Sequence, residues 1–252
     1  AVIYELHVRD LSMDPSSGIP AAHKGKFLAL TDLNTSNKGQ KTGVSAIKDL
    51  GVTHVELLPI YDFATVDENA PTFNWGYDPQ NYNVPEGSYS SNPKNPTARI
   101  TELKSAVAGL HKAGLRVNMD VVYNHVSNAS SFSQNLIVPG YFFRTDDNGS
   151  LTNGSGCGND VASERSMVRK FIVDSVKFWA TEYNFDGFRF DLMGLMDIQT
   201  ISEVVQVLKK IDPTIIVIGE GWNMGSLDPS LRANQINATK LPTVSMFNDQ
   251  IR

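Results

Sequence analysis

The segment Asp186-Gly187-Phe188-Arg189-Phe190-Asp191 decides how this chain is read. As the end of a β-strand, its period of two sends Phe188 and Phe190 to one side and Arg189 and Asp191 to the other. Val173, Val176, Phe178 and Trp179 precede it and Leu192, Met193 and Leu195 follow it, so the strand is expected to be central and covered. A guanidinium beside a carboxylate on such a strand points to a site, because the cation holds Asp191 ionised, as a carboxylate nucleophile requires. A second strand-like run, Ile215 to Glu220, also ends in an acid. Two carboxylates at the ends of successive buried strands are the parts of a glycoside-hydrolysing centre.

Outward from this pair, strands and helices take turns. Strands are expected at Val2 to Val8, Thr53 to Pro59, Leu115 to Tyr123, near Phe185 to Asp191, at Ile215 to Gly219 and at Thr243 to Phe247. Between them the apolar spacing predicts helices over Gly43 to Leu50 (Val44, Ile47 and Leu50 inward), Thr97 to Ala113 (Ile100, Leu103, Val107 and Leu110), Ser163 to Tyr183, and Gln199 to Ile211. Gly114 reads as a helix C-cap. Two long loops, Tyr61 to Pro96 and the Asn-, Ser- and Gly-rich stretch after His125, are of a length that usually serves function. Strand and helix in alternation, with near-continuous apolar strands, imply an α/β fold with a parallel sheet covered by helices. An open doubly wound sheet would announce a nucleotide site by a glycine-rich turn after the first strand, and none follows Val8. A (β/α)8 TIM barrel puts its chemistry at the C-terminal ends of several strands, where Asp120, Asn124, His125, Arg189, Asp191 and Glu220 all fall. The barrel is therefore expected, truncated after about the sixth strand. Residues 1–252 would form the N-terminal three-quarters of one catalytic domain.

The bulk properties exclude several classes. A formal net charge of −5 and the lack of a basic block argue against nucleic acid and against an anionic membrane surface. No apolar run reaches the roughly 20 residues that span a bilayer. One cysteine, Cys157, precludes an intrachain disulfide and a thiolate zinc cluster, and its glycine-rich surroundings place it in a loop. Ala1 opens directly into a strand, with neither signal peptide nor methionine, as if the chain began within a larger pattern. Nothing fixes an oligomeric state.

The strand-end residues admit two readings each. Asp120, inside an apolar strand, is either satisfied by backbone amides or orients neighbours from beneath a site, with Arg189 as a candidate partner. His125 is either a loop residue or a donor to a substrate hydroxyl. Glu220 is either an exposed helix-start acid or, between Ile215–Gly219 and Trp222, a partly desolvated carboxyl raised toward the range of a general acid. Trp75, Tyr77 and Trp222 are core aromatics or flat faces for a sugar.

Asp120-Val121-Val122-Tyr123-Asn124-His125, Gly187-Phe188-Arg189-Phe190-Asp191 and Gly219-Glu220 resemble, in order, the first three signature regions of the α-amylase family. Phe73-Asn74-Trp75-Gly76-Tyr77-Asp78-Pro79 resembles a stretch typical of type I pullulanases, with Phe73 where that pattern has Tyr. Tyr4 to Asp10 and Phe247 to Arg252 are similar to the same subfamily. The resemblance implies a retaining debranching glycosidase acting on α-1,6 linkages of pullulan- or amylopectin-type α-glucans. It implies Asp191 as nucleophile and Glu220 as acid and base, their carboxyls roughly 5 to 5.5 Å apart. Arg189 would position Asp191, Asp120 would support that shell, His125 would bind the sugar and Tyr77 would stack on it, with Asp78 and Trp222 nearby.

The family's fourth region, a His-Asp pair after the seventh strand, has no place here, and Asp249 lies too early to replace it. The isolated chain is therefore expected to be inactive or nearly so, with unpaired strand edges and with upstream accessory domains removed. An α-1,4-acting amylase or branching enzyme, and a non-catalytic α-glucan-binding fragment, are the alternatives. No cofactor is required and no catalytic metal is expected. Family members often bind structural calcium, for which the Asn- and Asp-rich loops offer ligands without EF-hand spacing. An extracellular or cell-surface location is favoured over the cytoplasm.

Overall fold

The computed structural model describes residues 1–70, 72–248 and 250. Two units interleave along the chain, the first built from Ala1–Tyr77, Asn83–Asp120 and Tyr183–Asp186, the second from Asp78–Tyr82, Val121–Glu182 and the residues from Gly187 onward.

The first unit carries three parallel strands, β1 (Ile3–Leu6), β2 (His54–Leu57) and β3 (Arg116–Val121), in that spatial order. Ile3 stands opposite His54, and His54 opposite Arg116. All four residues of β2 are buried, as expected of a parallel strand covered on both faces. Helix α1 (Gly43–Asp49) buries Val44 and Ile47. Leu50, expected on the same face, is 65% exposed, because the helix ends at Asp49 and Leu50 serves as its cap. Helix α2 (Pro96–Lys112) starts with the Asn95 side chain accepting from the Thr97 amide at 3.0 Å, has proline at its first position and ends before Gly114, whose φ of +84° closes it. It buries Leu103, Ala106, Val107 and Leu110, each contributing on the order of 1–3 kcal/mol by leaving water. Ile100 departs from the expected stripe and is exposed. Glu102 turns inward from that end of the helix instead, its carboxylate accepting from the Ser91 amide at 2.8 Å and from the Ser91 hydroxyl. Tyr61 to Pro96 is not all loop, since strands form at Tyr61–Phe63 and Pro79–Pro85.

Asp186 fixes the approach to the next strand. It accepts from the Val117 amide at 2.8 Å and from His111 Nε2 at 2.7 Å, and lies 3.4 Å from Arg116 Nε. Burial pushes its carboxyl up, and these bonds and charges outweigh burial, leaving it below the usual carboxylate range.

The second unit repeats the pattern with β4 (Gly187–Phe190), β5 (Ile216–Gly219) and β6 (Ser245–Met246), again parallel and in that order. Gly187 faces Ile216, Phe190 faces Gly219 and Gly219 faces Met246. Every residue of β4 is buried, so the deciding segment is a covered strand, with Asp191 one step beyond its end. Helix α3 (Ser166–Glu182) buries Val168, Ile172, Val176 and Trp179, and the Trp179 indole donates to the Tyr82 carbonyl at 3.1 Å. Helix α4 (Ile198–Ile211) buries Ile201, Val204 and Leu208, leaving Val205 half-buried at the border of its inward face. Its N-cap, Asp197, accepts from the Thr200 amide and pairs with Arg169 at 3.1 Å. No helix is long and apolar enough to cross a membrane among the described residues. Asp249, Ile251 and Arg252, on which part of the family resemblance rests, lie outside them.

Candidate active site

The register of β4 against β5 carries two acids to the same end of the second unit. Phe190 faces Gly219, so the next residues along, Asp191 and Glu220, leave their strands side by side. The Glu220 amide donates to the Phe190 carbonyl at 3.0 Å and the Asp191 amide to the Val121 carbonyl at 3.0 Å, which holds both backbones to the sheet. Arg189 sits between them with its side chain buried. Its Nη1 lies 3.0 Å from Asp191 Oδ1 and its Nη2 2.7 Å from Glu220 Oε1. The sequence suggested a guanidinium serving Asp191; the structure gives one planar fork serving both carboxylates.

Past Asp191 the chain turns through Leu192 at φ +41°, a left-handed conformation rare for a branched side chain and common where function constrains the backbone. The turn aims the Leu192 amide at Glu220 Oε2, 3.1 Å away. Gly194 then passes so close beneath Trp222 that a Cβ would meet the Trp222 carbonyl oxygen at 1.9 Å. Trp222 is half-buried and meets the edge of Phe247, ring centroids 6.2 Å apart.

Asn124, expected at a strand end but without a role of its own, proves central. Its Nδ2 donates to the Asp191 carbonyl and to Asp191 Oδ2, both at 2.8 Å. Because those oxygens only accept, the amide orientation is fixed and Oδ1 faces His125 Nδ1 at 2.6 Å. His125 therefore carries its proton on Nδ1. The Tyr82 hydroxyl, in turn, donates to the His125 carbonyl at 2.6 Å. The signal for Asn124 was its place between Tyr123 and His125, but strand alternation stops at the strand end and says nothing of where a loop side chain turns.

The structure thus brings Arg189, Asp191, Glu220, Asn124 and His125 together. Of the remaining expected residues, Tyr77 and Asp120 meet each other in the first unit. There the Tyr77 hydroxyl donates to Asp120 Oδ2 at 2.7 Å, so Asp120 is buried with a phenol donor. Asp78 is half-buried at the entry to the Pro79–Pro85 strand, whose Pro79 carbonyl accepts from the Ser127 amide at 2.9 Å. Cys157 is exposed in its glycine-rich loop. Neighbouring Asp160 accepts from Thr152 Oγ1 and from the Gly154 and Ser155 amides at 2.7–2.8 Å.

For a cation, one grouping stands out among the described residues: Asp62, Glu68 and Glu86 bring carboxylate oxygens within 4.8 Å of one another. Glu68 already pairs with Arg99 at 2.6 Å. Both Glu86 oxygens accept backbone amides, from Phe63 at 3.1 Å and Ser88 at 2.7 Å. The cluster lies within Tyr61 to Pro96, the first of the two long loop regions.

Comparison with known proteins places these features in a lineage. Residues 30–149 match the family model described as "Alpha amylase, catalytic domain". Over its whole length the chain is 50% identical to a curated pullulanase of Bacillus subtilis (strain 168), covering 35% of that protein. A crystal structure of pullulanase from Paenibacillus barengoltzii in complex with maltohexaose and α-cyclodextrin superposes with a TM-score of 0.97 at 56% identity, with 100% of this chain and 40% of that one covered. Pullulanase from Anoxybacillus sp. LM18-11, complexed with maltotetraose, gives 0.98 at 49% identity, covering 100% and 37%. The chain spans between a third and two-fifths of the length of these relatives. Its fold is a (β/α)8 barrel truncated after the sixth strand. With signature regions, strand-end acids and backbone all in agreement, the chain belongs to the α-amylase family, in its pullulanase branch.

Proposed function

We propose that this chain carries the nucleophile and the acid/base of a retaining glycoside hydrolase that cleaves α-1,6 branch linkages in pullulan- and amylopectin-type α-glucans, the activity belonging to the full-length parent protein. The observation that carries the reading is the shared fork: Arg189 contacts Asp191 and Glu220 at once, at the ends of adjacent parallel strands. The pullulanases to which the chain is similar, and their maltooligosaccharide complexes, support the choice of substrate.

In this mechanism Glu220 gives its proton to the glycosidic oxygen while an Asp191 oxygen forms a bond to the anomeric carbon. The C1–O6 bond breaks and the leaving glucan departs with a free 6-hydroxyl. Glu220, now a carboxylate, removes a proton from water, which attacks the same carbon and releases Asp191. Two inversions give net retention. Arg189 holds the Asp191 carboxylate in its attacking geometry, and Asn124 holds it from the other side while fixing the His125 ring. His125 binds the sugar next to the broken bond, with Asp78 and Trp222 nearby, and the family resemblance gives Tyr77, whose hydroxyl donates to Asp120, the role of a stacking ring.

The stereochemistry tests this reading. Proton NMR of the first product released from pullulan by the parent protein is expected to show the α-anomer before mutarotation. A β-anomer appearing first would mean direct attack by water and would remove Asp191 from the role of nucleophile.

A further inference from the structure

The Arg189 guanidinium has two faces as well as a hydrogen-bonding edge, and one face is covered. Phe247 lies over it, with the guanidinium carbon 5.4 Å from the ring centroid, within cation–π range. This placement follows from the sheet. Met246 pairs with Gly219 in the β5–β6 register, and the Phe247 amide continues the ladder by donating to the Gly219 carbonyl at 3.2 Å. The residue that follows β5 is Glu220, so the ladder sets Phe247 beside the acid that shares Arg189. Two further contacts hold the residue. Gln235 Nε2 donates to the Phe247 carbonyl at 2.6 Å, and Trp222 meets the ring near edge-on, at 75°.

We infer that Phe247 is a positioning residue, whose ring caps the guanidinium of Arg189 and holds its plane in the orientation that meets Asp191 with one nitrogen and Glu220 with the other. A guanidinium on a flexible stem can rotate about its last bonds and satisfy either acid alone. A ring against its face removes that rotation and keeps water from that side. The inference rests on the retaining-hydrolase reading for its kinetic consequence and on geometry alone for the cap.

The test compares Phe247→Leu, which keeps apolar bulk without a π face, with Phe247→Tyr, which keeps the face, in the parent protein. Two readouts are taken: the side-chain proton resonances of Arg189, by NMR of arginine-labelled protein, and kcat and KM on pullulan. In the unsubstituted protein and in Phe247→Tyr the ring is expected to shift the Arg189 protons upfield, and Phe247→Leu is expected to lose that shift. Phe247→Leu is further expected to lower kcat about tenfold with KM nearly unchanged, and Phe247→Tyr to restore it. Arg189 resonances indifferent to the leucine replacement overturn the cap. A leucine variant equal to wild type in kcat overturns the positioning role. A protein that hydrolyses no pullulan with Phe247 in place refutes the debranching reading instead, and the resonances then decide the cap by themselves.

Discussion

Arg189 is where the chemistry of this chain converges, and its shape matters as much as its charge. Two nitrogens of one rigid plane reach two different carboxylates, a task that the single ammonium of lysine cannot reproduce. Arg189→Lys is accordingly expected to lower kcat on pullulan by about 100-fold with the protein still folded, as steady-state kinetics and circular dichroism would show together. Asn124→Ala removes the amide that bonds Asp191 and fixes His125, and a loss of about 10- to 100-fold in kcat/KM is expected. The arginine–aspartate pair was legible in the sequence because residues two apart on a strand share a side. The strand-end place of Asn124 was legible too, but not its contacts, nor those of Phe247, because they depend on a loop turn and on the register of a neighbouring strand.

Glu86 shows the same dependence on tertiary context. It is fully buried, and burial foremost pushes its carboxyl from 4.5 up to about 7, against the pull of the Ser88 and Phe63 amides and helped by the charge of Asp62. The folded-state value lies above the unfolded one, so the stability linked to this group is fully present below pH ~4.5 and is lost as pH rises through ~7. The loss amounts to something on the order of 3 kcal/mol. Urea unfolding at pH 5 and pH 8 should show Glu86→Gln losing less stability across that interval than the unsubstituted protein. An equal loss in both would contradict the assignment.

The strands and helices set these residues in place, and most of them follow from local pattern. The strands β2, β4 and β5 and the spacing of α2, α3 and α4 are visible in the sequence, as is the cap at Gly114, whereas the Asn95 cap emerges only in the structure. Leu50 departs from the pattern because it caps its helix, where periodicity no longer decides what faces inward, and Ile100 is exposed while Glu102 of the same helix is turned inward to Ser91. The strands at Tyr61–Phe63 and Pro79–Pro85 were hidden by their flanking prolines and polar residues. Close approach between elements is likewise invisible in one dimension. Gly194 has no room for a methyl group against the Trp222 carbonyl, so Gly194→Ala must push apart the turns after β4 and β5. A destabilisation of about 1–3 kcal/mol is expected, together with a fall in activity larger than the change in stability explains, since the displaced turn carries Glu220. Thermal unfolding and kinetics on one preparation would separate the two effects.

At the scale of the whole molecule, six parallel strands in two sets of three follow the order and chemistry of a (β/α)8 barrel. Among the described pairings, β1 bonds to β2 alone and β6 to β5 alone. A strand with one neighbour presents unpaired amides and carbonyls, and in a barrel such edges close on each other. The catalytic assignment places two acids on this chain, which spans between a third and two-fifths of the length of its relatives. The most direct test is the release of maltotriose from pullulan by the parent protein, by its Asp191→Asn variant and by the 252-residue chain alone. The account predicts release by the parent and none by Asp191→Asn or by the isolated chain. Release by Asp191→Asn at the parent's rate would contradict the claim that Asp191 is the nucleophile.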